Sequence, residues 1–225
     1  MNKLIALTGL KGSGKDTTAD YIIKNYDNWE KESFAGTLKD AVSAIFGWDR
    51  KMLAGETPED REIRETPDEY WSKKFGYEVT PRIILQKFGT DCLRCHLHKD
   101  IWVNSLEKKI IDSDKNIIIT DVRFKNEIDM LKKLGATIIR VQREPLPEWF
   151  KKVAELNLKG CNMPVIFNLV PEVKDIHISE LDWIGYDNPD FIIDAKTGDF
   201  EGMYKQIDDI MDFIYYNENE GENND

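Results

Sequence analysis

The strongest pattern along the chain is a series of short apolar runs separated by segments with helical spacing. The runs cover residues 3–8, 116–120, 136–141 and 191–193, and a further short strand is predicted at 32–34. Uninterrupted apolar runs of this length are typical of strands buried on both faces of a parallel sheet. Helical spacing predicts helices at residues 15–26, 38–46, 82–95, 101–111, 124–134 and 204–214. The alternation of strand and helix predicts an α/β fold whose central parallel β-sheet is covered on both faces.

Two longer segments interrupt this alternation. Residues 47–80 combine charges, aromatic side chains and prolines, which predicts an inserted, partly helical segment. It is either an ordinary surface excursion or a cover over a bound ligand. Residues 144–189 hold five prolines and predict a loop-rich, lid-like region. We therefore predict one domain over residues 1–215, with this insertion and lid, followed by an acidic flexible tail at 216–225.

The overall charge and the cysteine count narrow the class of protein. The net charge of −11 argues against stable nucleic-acid binding, which needs a basic face. No apolar run approaches the ~18–20 residues that span a bilayer, and the opening apolar run is too short for a signal peptide. Three cysteines are too few for a disulfide framework. We expect a cytoplasmic protein that binds no membrane and that can still hold a small polyanion in a local basic pocket.

The first turn of the chain has the spacing of a phosphate-binding loop. The sequence is Gly9-Leu10-Lys11-Gly12-Ser13-Gly14-Lys15-Asp16-Thr17, between a predicted strand and a predicted helix. Glycines let successive backbone N–H groups point at one spot, and the helix N-terminus adds partial positive charge there. Lys15 can reach the β- and γ-phosphates of a nucleotide. The predicted ATP-binding residues are Gly12, Ser13, Gly14, Lys15, Asp16, Thr17 and Thr18.

One residue of this loop departs from the usual pattern. Asp16 stands where serine or threonine is usual, and Thr17 supplies a hydroxyl one position later. A carboxylate beside a triphosphate would be repelled unless Mg²⁺ lies between them. We therefore hypothesise that Asp16 and Thr17 hold magnesium or one of its waters. Asp121, at the end of the strand predicted at 116–120, would join them through water, unless it only caps the next helix.

Other polar residues are candidates for binding a second, acceptor substrate. Lys39, one turn into a predicted helix, could hold a phosphate together with Lys11. On the helix predicted at 82–95, Gln86 and Asp91 suit a base or sugar, and Arg94 suits a phosphate. Each of these could equally be a solvated surface residue. Trp71 could stack on a base or belong to the core.

Three arginines near strand ends are candidates for catalysis. Arg123 follows Asp121, and Arg140 and Arg143 flank the end of the strand predicted at 136–141. Phosphoryl transfer develops charge on equatorial oxygens, which arginines stabilise. A lid that carries them would also exclude water. We therefore predict catalytic roles for Lys15, Arg123, Arg140 and Arg143.

A further motif, Cys92-Leu93-Arg94-Cys95-His96, matches the pattern for covalent haem attachment. The same segment has helical spacing, and the chain shows no export signal. A zinc site with His98 and Cys161 would lack a second close-spaced pair of ligands. We therefore expect neither haem nor zinc.

Five segments occur in an order that resembles the tailed-phage deoxynucleoside monophosphate kinases. They are residues 9–17, 33–39, 85–94, 120–127 and 177–180. The most specific are Leu-Gln-x-Phe-Gly-Thr-Asp at 85–91 and Asp-Val-Arg-Phe-x-Asn-Glu at 121–127. The resemblance covers about residues 3–215. It implies a three-layer P-loop NTPase fold like that of nucleoside monophosphate kinases, with an acceptor-binding insertion and a lid.

The resemblance also implies a function. Members of this family transfer phosphate from ATP, with Mg²⁺, to a deoxynucleoside monophosphate (dNMP), and usually act as homodimers. By this likeness residues 194–198 border the adenine. The predicted acceptor residues are Lys11, Lys39, Trp71, Gln86, Asp91, Arg94 and Arg123. His177 and Glu180 match a family segment but have no role that the sequence reveals, and we leave them out of the predicted site.

Two other functions fit the same loop. A kinase of another small acceptor, such as dephospho-coenzyme A, would share the loop and the lid. A nucleotide-gated binding or switch protein would hydrolyse ATP slowly without any acceptor.

Overall fold

The computed structural model describes residues 2–55 and 57–221, and for residue 90 and residues 217–221 it describes the backbone alone. The chain forms two compact units. The first combines Met1–Glu32 with Ser113–Asp225, and the second is the continuous stretch Ser33–Asp112. The insertion predicted at 47–80 is therefore the middle of a larger helical unit.

The first unit contains a five-stranded sheet in which all described strands are parallel. The strands are β1 Leu4–Thr8, β2 Trp29–Glu32, β3 Asn116–Ile119, β4 Thr137–Gln142 and β5 Phe191–Asp194. Their order across the sheet is β2-β3-β1-β4-β5, so β1 is central and Ala6 pairs with both Ile119 and Ile138. Every residue of β1 is buried, as the uninterrupted apolar run predicts.

The second strand lies earlier in the chain than predicted, at Trp29–Glu32 instead of 32–34. Trp29 fixes this position, because its ring is buried in the core and its Nε1 donates to the hydroxyl of Tyr215 at 3.0 Å. Pairing with β3 begins at the same residue, where Trp29 is opposite Asn116. As an edge strand, β2 needs no apolar run, which is why the sequence pattern misses it.

The helices are named here in chain order. In the described part of the chain they are α1 Lys15–Asn25, α2 Gly36–Phe46, α3 Arg50–Ala54, α4 Pro58–Glu65, α5 Glu69–Phe75, α6 Pro81–Gln86, α7 Ile101–Asp112, α8 Lys125–Lys133, α9 Trp149–Leu158, α10 Met163–Leu169 and α11 Phe200–Gly221. A π-helix, Lys87–Arg94, continues α6. None of these helices has the length and apolar character needed to cross a membrane.

The core of the first unit lies between the sheet, α1 and α11. Ile5, Ile118 and Ile139 from the strands pack in one cluster with Ile22 of α1 and Met211 of α11. Helix α11 begins earlier than the predicted residue 204. The carboxylate of Asp199 accepts from the N–H of Gly202 in the first turn, and Met203 is buried. The sequence predicted a flexible tail from residue 216, but the backbone is helical up to Gly221. The rest of the predicted tail, residues 222–225, lies outside the described residues.

The region predicted as loop-rich, residues 144–189, contains two helices, α9 and α10, and two short 3₁₀ turns. Two of its prolines start these elements: Pro164 lies in the first turn of α10, and Pro171 begins the turn Pro171–Val173. Proline has no N–H to lose in the first turn of a helix. The sequence pattern missed these two helices because the prolines of the region were interpreted only as loop residues, and the lid-like role of the region stays a prediction.

The second unit is helical and has its own core of Val42, Leu53, Val79, Ile84 and Leu85. Helices α3, α4 and α5 confirm that residues 47–80 are partly helical. The helix predicted at 82–95 changes to a π-helix after Gln86. Within it the carbonyl of Gly89 accepts from the indole of Trp102 at 3.0 Å, and a Cβ atom at Gly89 would lie 2.9 Å from Leu38.

We expect Ile118→Ala to lower the free energy of unfolding by about 2–5 kcal/mol, because it leaves a cavity at a fully buried position of β3. Ile192→Ala is the matched control, since Ile192 lies on the edge strand β5 and is 45% exposed. Ile192→Ala should lower the free energy of unfolding by less than about 1 kcal/mol. Urea unfolding curves give the free energy of unfolding of both variants. An equal decrease in the two variants would contradict the buried position of β3.

Candidate active site

The glycine turn lies at the carboxyl end of the central strand β1 and leads directly into α1. Gly9, Gly12 and Gly14 have φ angles of 143°, 79° and 113°. At Gly9 a Cβ atom would lie 2.2 Å from the carbonyl oxygen of Val141, so glycine is required for this approach to β4. The turn therefore has the strand–turn–helix setting that its spacing predicts, and its N–H groups lie at a helix N-terminus, where anions bind.

Lys15, the first residue of α1, is folded back over this turn. Its Nζ donates to the carbonyl oxygens of Gly9 at 2.8 Å and Leu10 at 3.0 Å, and the residue is only 6% exposed. Burial and the nearby charge of Arg123 lower the pKa of Lys15 to about 8, against the opposing effect of two carboxylates. The ammonium thus lies where a bound phosphate would stabilise its charge.

In the segment after β3, a buried carboxylate holds the backbone of Arg123 in place. Glu127 is 3% exposed and accepts hydrogen bonds from the N–H groups of Arg123 at 2.7 Å and Phe124 at 3.0 Å. Glu127 thereby caps α8 and fixes the turn before it. Val122, in the same turn, is fully buried. The Asp-Val-Arg-Phe-x-Asn-Glu motif is therefore a structural unit that holds one arginine beside the glycine turn.

Glu180, which the sequence analysis left out of the site, also lies at the turn. One carboxylate oxygen accepts from the N–H of Lys11 at 3.2 Å. The other lies 2.7 Å from Nη1 of Arg123. The acidic residue in the segment 177–180 was the only sequence signal, and nothing in the spacing connects it with a loop about 170 residues earlier.

Arg140 forms a buried ion pair that the sequence did not predict. Its Nε and Nη2 donate to the two oxygens of Asp187 at 2.8 and 2.5 Å, and Asp187 is fully buried. Thr8, the last residue of β1, donates its hydroxyl to the same carboxylate at 2.8 Å. This bidentate pair ties the end of β1 to β4. The guanidinium of Arg140 neutralises a buried charge here, and its predicted transition-state role stays a prediction.

A cavity of about 120 Å³ lies between the glycine turn and the end of β4. Its lining combines Gly9–Ser13 and Val141–Arg143 with the side chains of Leu146, Phe150 and Trp183. Within the part of the chain that the structure describes, Ser13 Oγ and Trp183 Nε1 are buried here without a hydrogen-bond partner. Both residues line the cavity, but these two atoms are shielded from it.

Arg143 is exposed at the rim of this cavity, with Nη1 3.4 Å from the hydroxyl of Thr197. Gly14 is also close to the segment after β5, since a Cβ atom there would lie 3.9 Å from Ala195. Residues 194–198, predicted to border the adenine, thus lie next to the phosphate-binding loop.

The predicted metal-binding residues lie on both sides of the loop. Asp16 is exposed and pairs with Lys31 of β2 at 2.8 Å. Burial acts to raise its pKa, but the hydrogen bond and charge of Lys31 outweigh it, so the pKa lies below the usual value and Asp16 is ionised. A hydrogen bond with Thr120 acts in the same direction. Thr17 and Asp121 are half-buried.

The predicted acceptor residues are divided between the two units. Lys11 and Arg123 belong to the first, and Lys39, Gln86, Asp91 and Arg94 belong to the second. Within the second unit, Lys39 and Arg94 are half-buried, and Gln86 and Asp91 are exposed. Their role in binding an acceptor stays a prediction.

Trp71 belongs to the aromatic part of the second core. Its Nε1 donates to the carbonyl of Phe46 at 3.0 Å, and its ring packs edge-on against Phe46, Tyr70 and Phe75. Of the two interpretations considered for Trp71, the structure favours core packing over stacking on a base.

Two other motifs have local explanations. His177 caps the 3₁₀ turn Ile178–Glu180 by accepting from the N–H of Ser179 at 3.2 Å. The cysteines of the haem-like motif, Cys92 on the π-helix and Cys95 directly after it, are exposed free thiols.

A parallel sheet in this strand order, with a glycine turn and a buried lysine at the end of its central strand, defines a P-loop kinase. The family model described as deoxynucleotide monophosphate kinase matches residues 57–168. A protein of Acanthamoeba polyphaga mimivirus that carries the same family name is 40% identical over 171 residues, which cover 70% of this chain and 82% of that protein. The chain therefore belongs to the deoxynucleotide monophosphate kinase family.

Two further comparisons are more distant. The deoxynucleotide monophosphate kinase of Enterobacteria phage T4 is 26% identical over 197 residues, covering 63% of this chain and 81% of the phage protein. The solved structure of dephospho-CoA kinase from Campylobacter jejuni has a TM-score of 0.44 at 15% identity, over 95% of this chain and 97% of that one. The fold assignment rests on the strand order and not on this score.

We expect the affinity for ADP, measured without Mg²⁺, to fall about five- to tenfold between pH 7.5 and pH 9. Lys15 titrates near pH 8 in the free protein, and only its charged form attracts phosphate. Isothermal titration calorimetry gives the Kd at each pH.

Lys15→Arg is the control for this pH dependence. Arginine keeps its charge from pH 7.5 to 9, so the Kd of this variant for ADP should not change with pH, whatever its absolute value. An unchanged Kd for the unmodified protein from pH 7.5 to 9 would contradict the titration of Lys15.

Proposed function

We propose that this protein transfers the γ-phosphate of ATP to a deoxynucleoside monophosphate, giving ADP and a deoxynucleoside diphosphate. The observation that carries the proposal is the convergence of Lys15 and Arg123 on a phosphate-binding loop, in a chain of the deoxynucleotide monophosphate kinase family. Two cations at a helix N-terminus suit a polyphosphate.

The donor phosphates are held by the loop. The N–H groups of Gly12–Thr18 surround them, and the Lys15 ammonium turns from the carbonyl oxygens of Gly9 and Leu10 to the phosphate oxygens. This exchange replaces two neutral acceptors by an anion, and hydrogen bonds between charged groups are about twice as strong as neutral ones. ATP binding therefore restores the full charge of Lys15.

Arg123 is the strongest candidate for stabilising the transferred phosphoryl group. Its Nη1 lies 2.7 Å from Glu180 and its side chain is 25% exposed, so the other N–H groups of the guanidinium can donate to a phosphate oxygen. Arg143 is the second candidate, from its position beside Thr197 at the rim of the cavity. Guanidinium groups placed in advance lower the barrier because they need no reorganisation during the reaction.

The acceptor side of the proposal rests on Lys11, Lys39 and Arg94 for the phosphate, and on Gln86 and Asp91 for the base or sugar. The acceptor phosphate oxygen is already ionised at neutral pH, so no general base is needed. Catalysis is then a matter of alignment and charge stabilisation.

Magnesium fits the residues at the loop. Asp16 is ionised and exposed, Thr17 supplies a hydroxyl beside it, and Asp121 follows the neighbouring strand. Mg²⁺ in nucleotide sites is typically bound by one or two carboxylates, waters and phosphates, so no larger cluster is required. When bound, it would neutralise part of the charge of the phosphates. Lys31 pairs with Asp16 at 2.8 Å and holds the carboxylate ionised.

We expect turnover with ATP and Mg²⁺ when deoxynucleoside monophosphates are added, and Lys15→Ala to lower kcat/KM by at least about 1000-fold with the fold intact. A coupled assay for ADP release measures the rates, with circular dichroism as the control for folding. The acceptor panel includes ribonucleoside monophosphates and dephospho-coenzyme A.

The panel also separates the alternatives. Preferential turnover of dephospho-coenzyme A would replace the proposed acceptor. Slow ATP hydrolysis that no acceptor accelerates would indicate a nucleotide-gated binding or switch protein. Near-normal rates in Lys15→Ala would refute the role of the loop.

We expect Asp16→Ala to raise the Mg²⁺ concentration for half-maximal activity by about tenfold or more. Asp20→Ala is the matched control, because Asp20 lies one turn later on α1 and faces the same Lys31 at 3.7 Å. A magnesium titration of the ADP release rate compares the two. Equal curves for both variants would remove Asp16 from the metal site.

Cytoplasmic location and a homodimer stay predictions, from the sequence and from the resemblance respectively.

A further inference from the structure

Glu180 is a carboxylate at the phosphate-binding loop that the proposed reaction does not yet use. It ends the 3₁₀ turn Ile178–Glu180 and is largely buried, with 21% of its side chain exposed. One oxygen accepts from the N–H of Lys11 at 3.2 Å, and the other lies 2.7 Å from Nη1 of Arg123. A negative charge in a site for polyanions requires an explanation, because it repels the ligand.

The chain around Glu180 is held firmly. Asn157, buried on α9, donates to the carbonyl oxygens of Leu181 at 2.8 Å and Ile184 at 3.0 Å. Asp182 accepts from the N–H of Lys125 at 3.0 Å. Leu181 itself is fully buried. These anchors begin at the residue after Glu180, so its carboxylate is presented to the loop from a rigid support.

Arg123 is therefore held from two sides. Its backbone N–H is fixed by Glu127 at 2.7 Å, and its guanidinium faces Glu180. Nη1 and the carboxylate form an ion pair at 2.7 Å, with both side chains only about a quarter exposed or less. A guanidinium has five N–H donors, so Glu180 can hold the charge of Arg123 while the other donors face a phosphate.

Glu180 also balances two cations that repel each other. Arg123 and Lys15 are close enough for the charge of Arg123 to lower the pKa of Lys15, and Glu180 acts in the opposite direction. Without a carboxylate near both cations, the more exposed guanidinium would move away from the loop when no phosphate is bound. With it, Arg123 stays at the loop before ATP arrives.

A competing role is that Glu180 imitates a phosphate and blocks the loop. Its hydrogen bond, however, goes to the N–H of Lys11, outside the run Gly12–Thr18 that is predicted to hold the donor phosphates. The contacts with Arg123 and Lys11 therefore favour alignment over blocking.

We propose that Glu180 is a positioning residue that holds the guanidinium of Arg123 beside the phosphate-binding loop for phosphoryl transfer. This role rests on the proposed function, because it acts through Arg123 on the same reaction. It gives the segment 177–180 a function, with His177 as the cap of the turn that supports Glu180.

A double-mutant cycle tests the proposal. The variants are Glu180→Gln, Arg123→Ala and the double variant, assayed for kcat and KM with ATP and the best dNMP. We expect Glu180→Gln to lower kcat about 10- to 100-fold, with KM for ATP changed less than about threefold. The double variant should be no slower than Arg123→Ala, because Glu180 acts through that residue.

Two further variants control for structural effects. Glu172→Gln makes the same change on an exposed glutamate of the preceding 3₁₀ turn and should leave kcat unchanged. Glu180→Asp keeps the charge on a shorter side chain and should recover part of the loss in kcat. If Glu180→Gln does not fold, the double-mutant cycle is measured with Glu180→Asp and Arg123→Ala instead.

Three outcomes would overturn the role of Glu180. Losses that multiply in the double variant would show that Glu180 acts independently of Arg123. A lower KM for ATP with unchanged or higher kcat in Glu180→Gln would show that the carboxylate competes with phosphate. Unchanged kinetics would show that it has no role. Absence of turnover by the unmodified protein on every dNMP would instead refute the proposed function, before any variant is compared.

Discussion

The site depends on one close approach, between the glycine turn and the neighbouring strand β4. At Gly9 no side chain fits, because the carbonyl oxygen of Val141 occupies the space of a Cβ atom. One residue earlier, Thr8 is bound to Asp187, which also holds Arg140 of β4. Two adjacent residues therefore fix the turn, one by steric necessity and one through a buried ionic hydrogen bond. The direction of α1, and with it the position of Lys15, follows from this junction.

The charges around the turn form a balanced set before any nucleotide binds. Lys15 and Arg123 are two cations that repel each other, and the charge of Arg123 lowers the pKa of Lys15. The carboxylates of Asp16 and Glu180 act in the opposite direction and raise that pKa. Asp16 is in turn held ionised by Lys31. Such a site is preorganised for a polyphosphate and its metal, because the groups that must face the ligand are already held in place by protein contacts.

The sequence predicted those parts of the molecule that depend on local pattern. The apolar runs indicated four of the five strands, and the spacing of Gly9–Lys15 indicated the loop in its correct setting. The partners Asp187 and Glu180 were missed because they join the loop from 179 and 169 residues away, and no local rule links such positions. Edge strand β2 was displaced because a buried tryptophan, and not an apolar run, fixes it. The helices α9 and α10 were missed because proline was interpreted as a helix breaker.

The arrangement of the two units has a consequence for biosynthesis. The helical unit, Ser33–Asp112, is continuous in the chain, whereas the sheet unit is assembled from the segments before and after it. As the ribosome proceeds, the helical unit is complete while β3, β4 and β5 are still to be made. Strand β1 lies between β3 and β4, so its edges stay unpaired during that interval. The glycine turn after β1 therefore becomes able to bind a nucleotide only once β3 and β4 have been made, long after the turn itself.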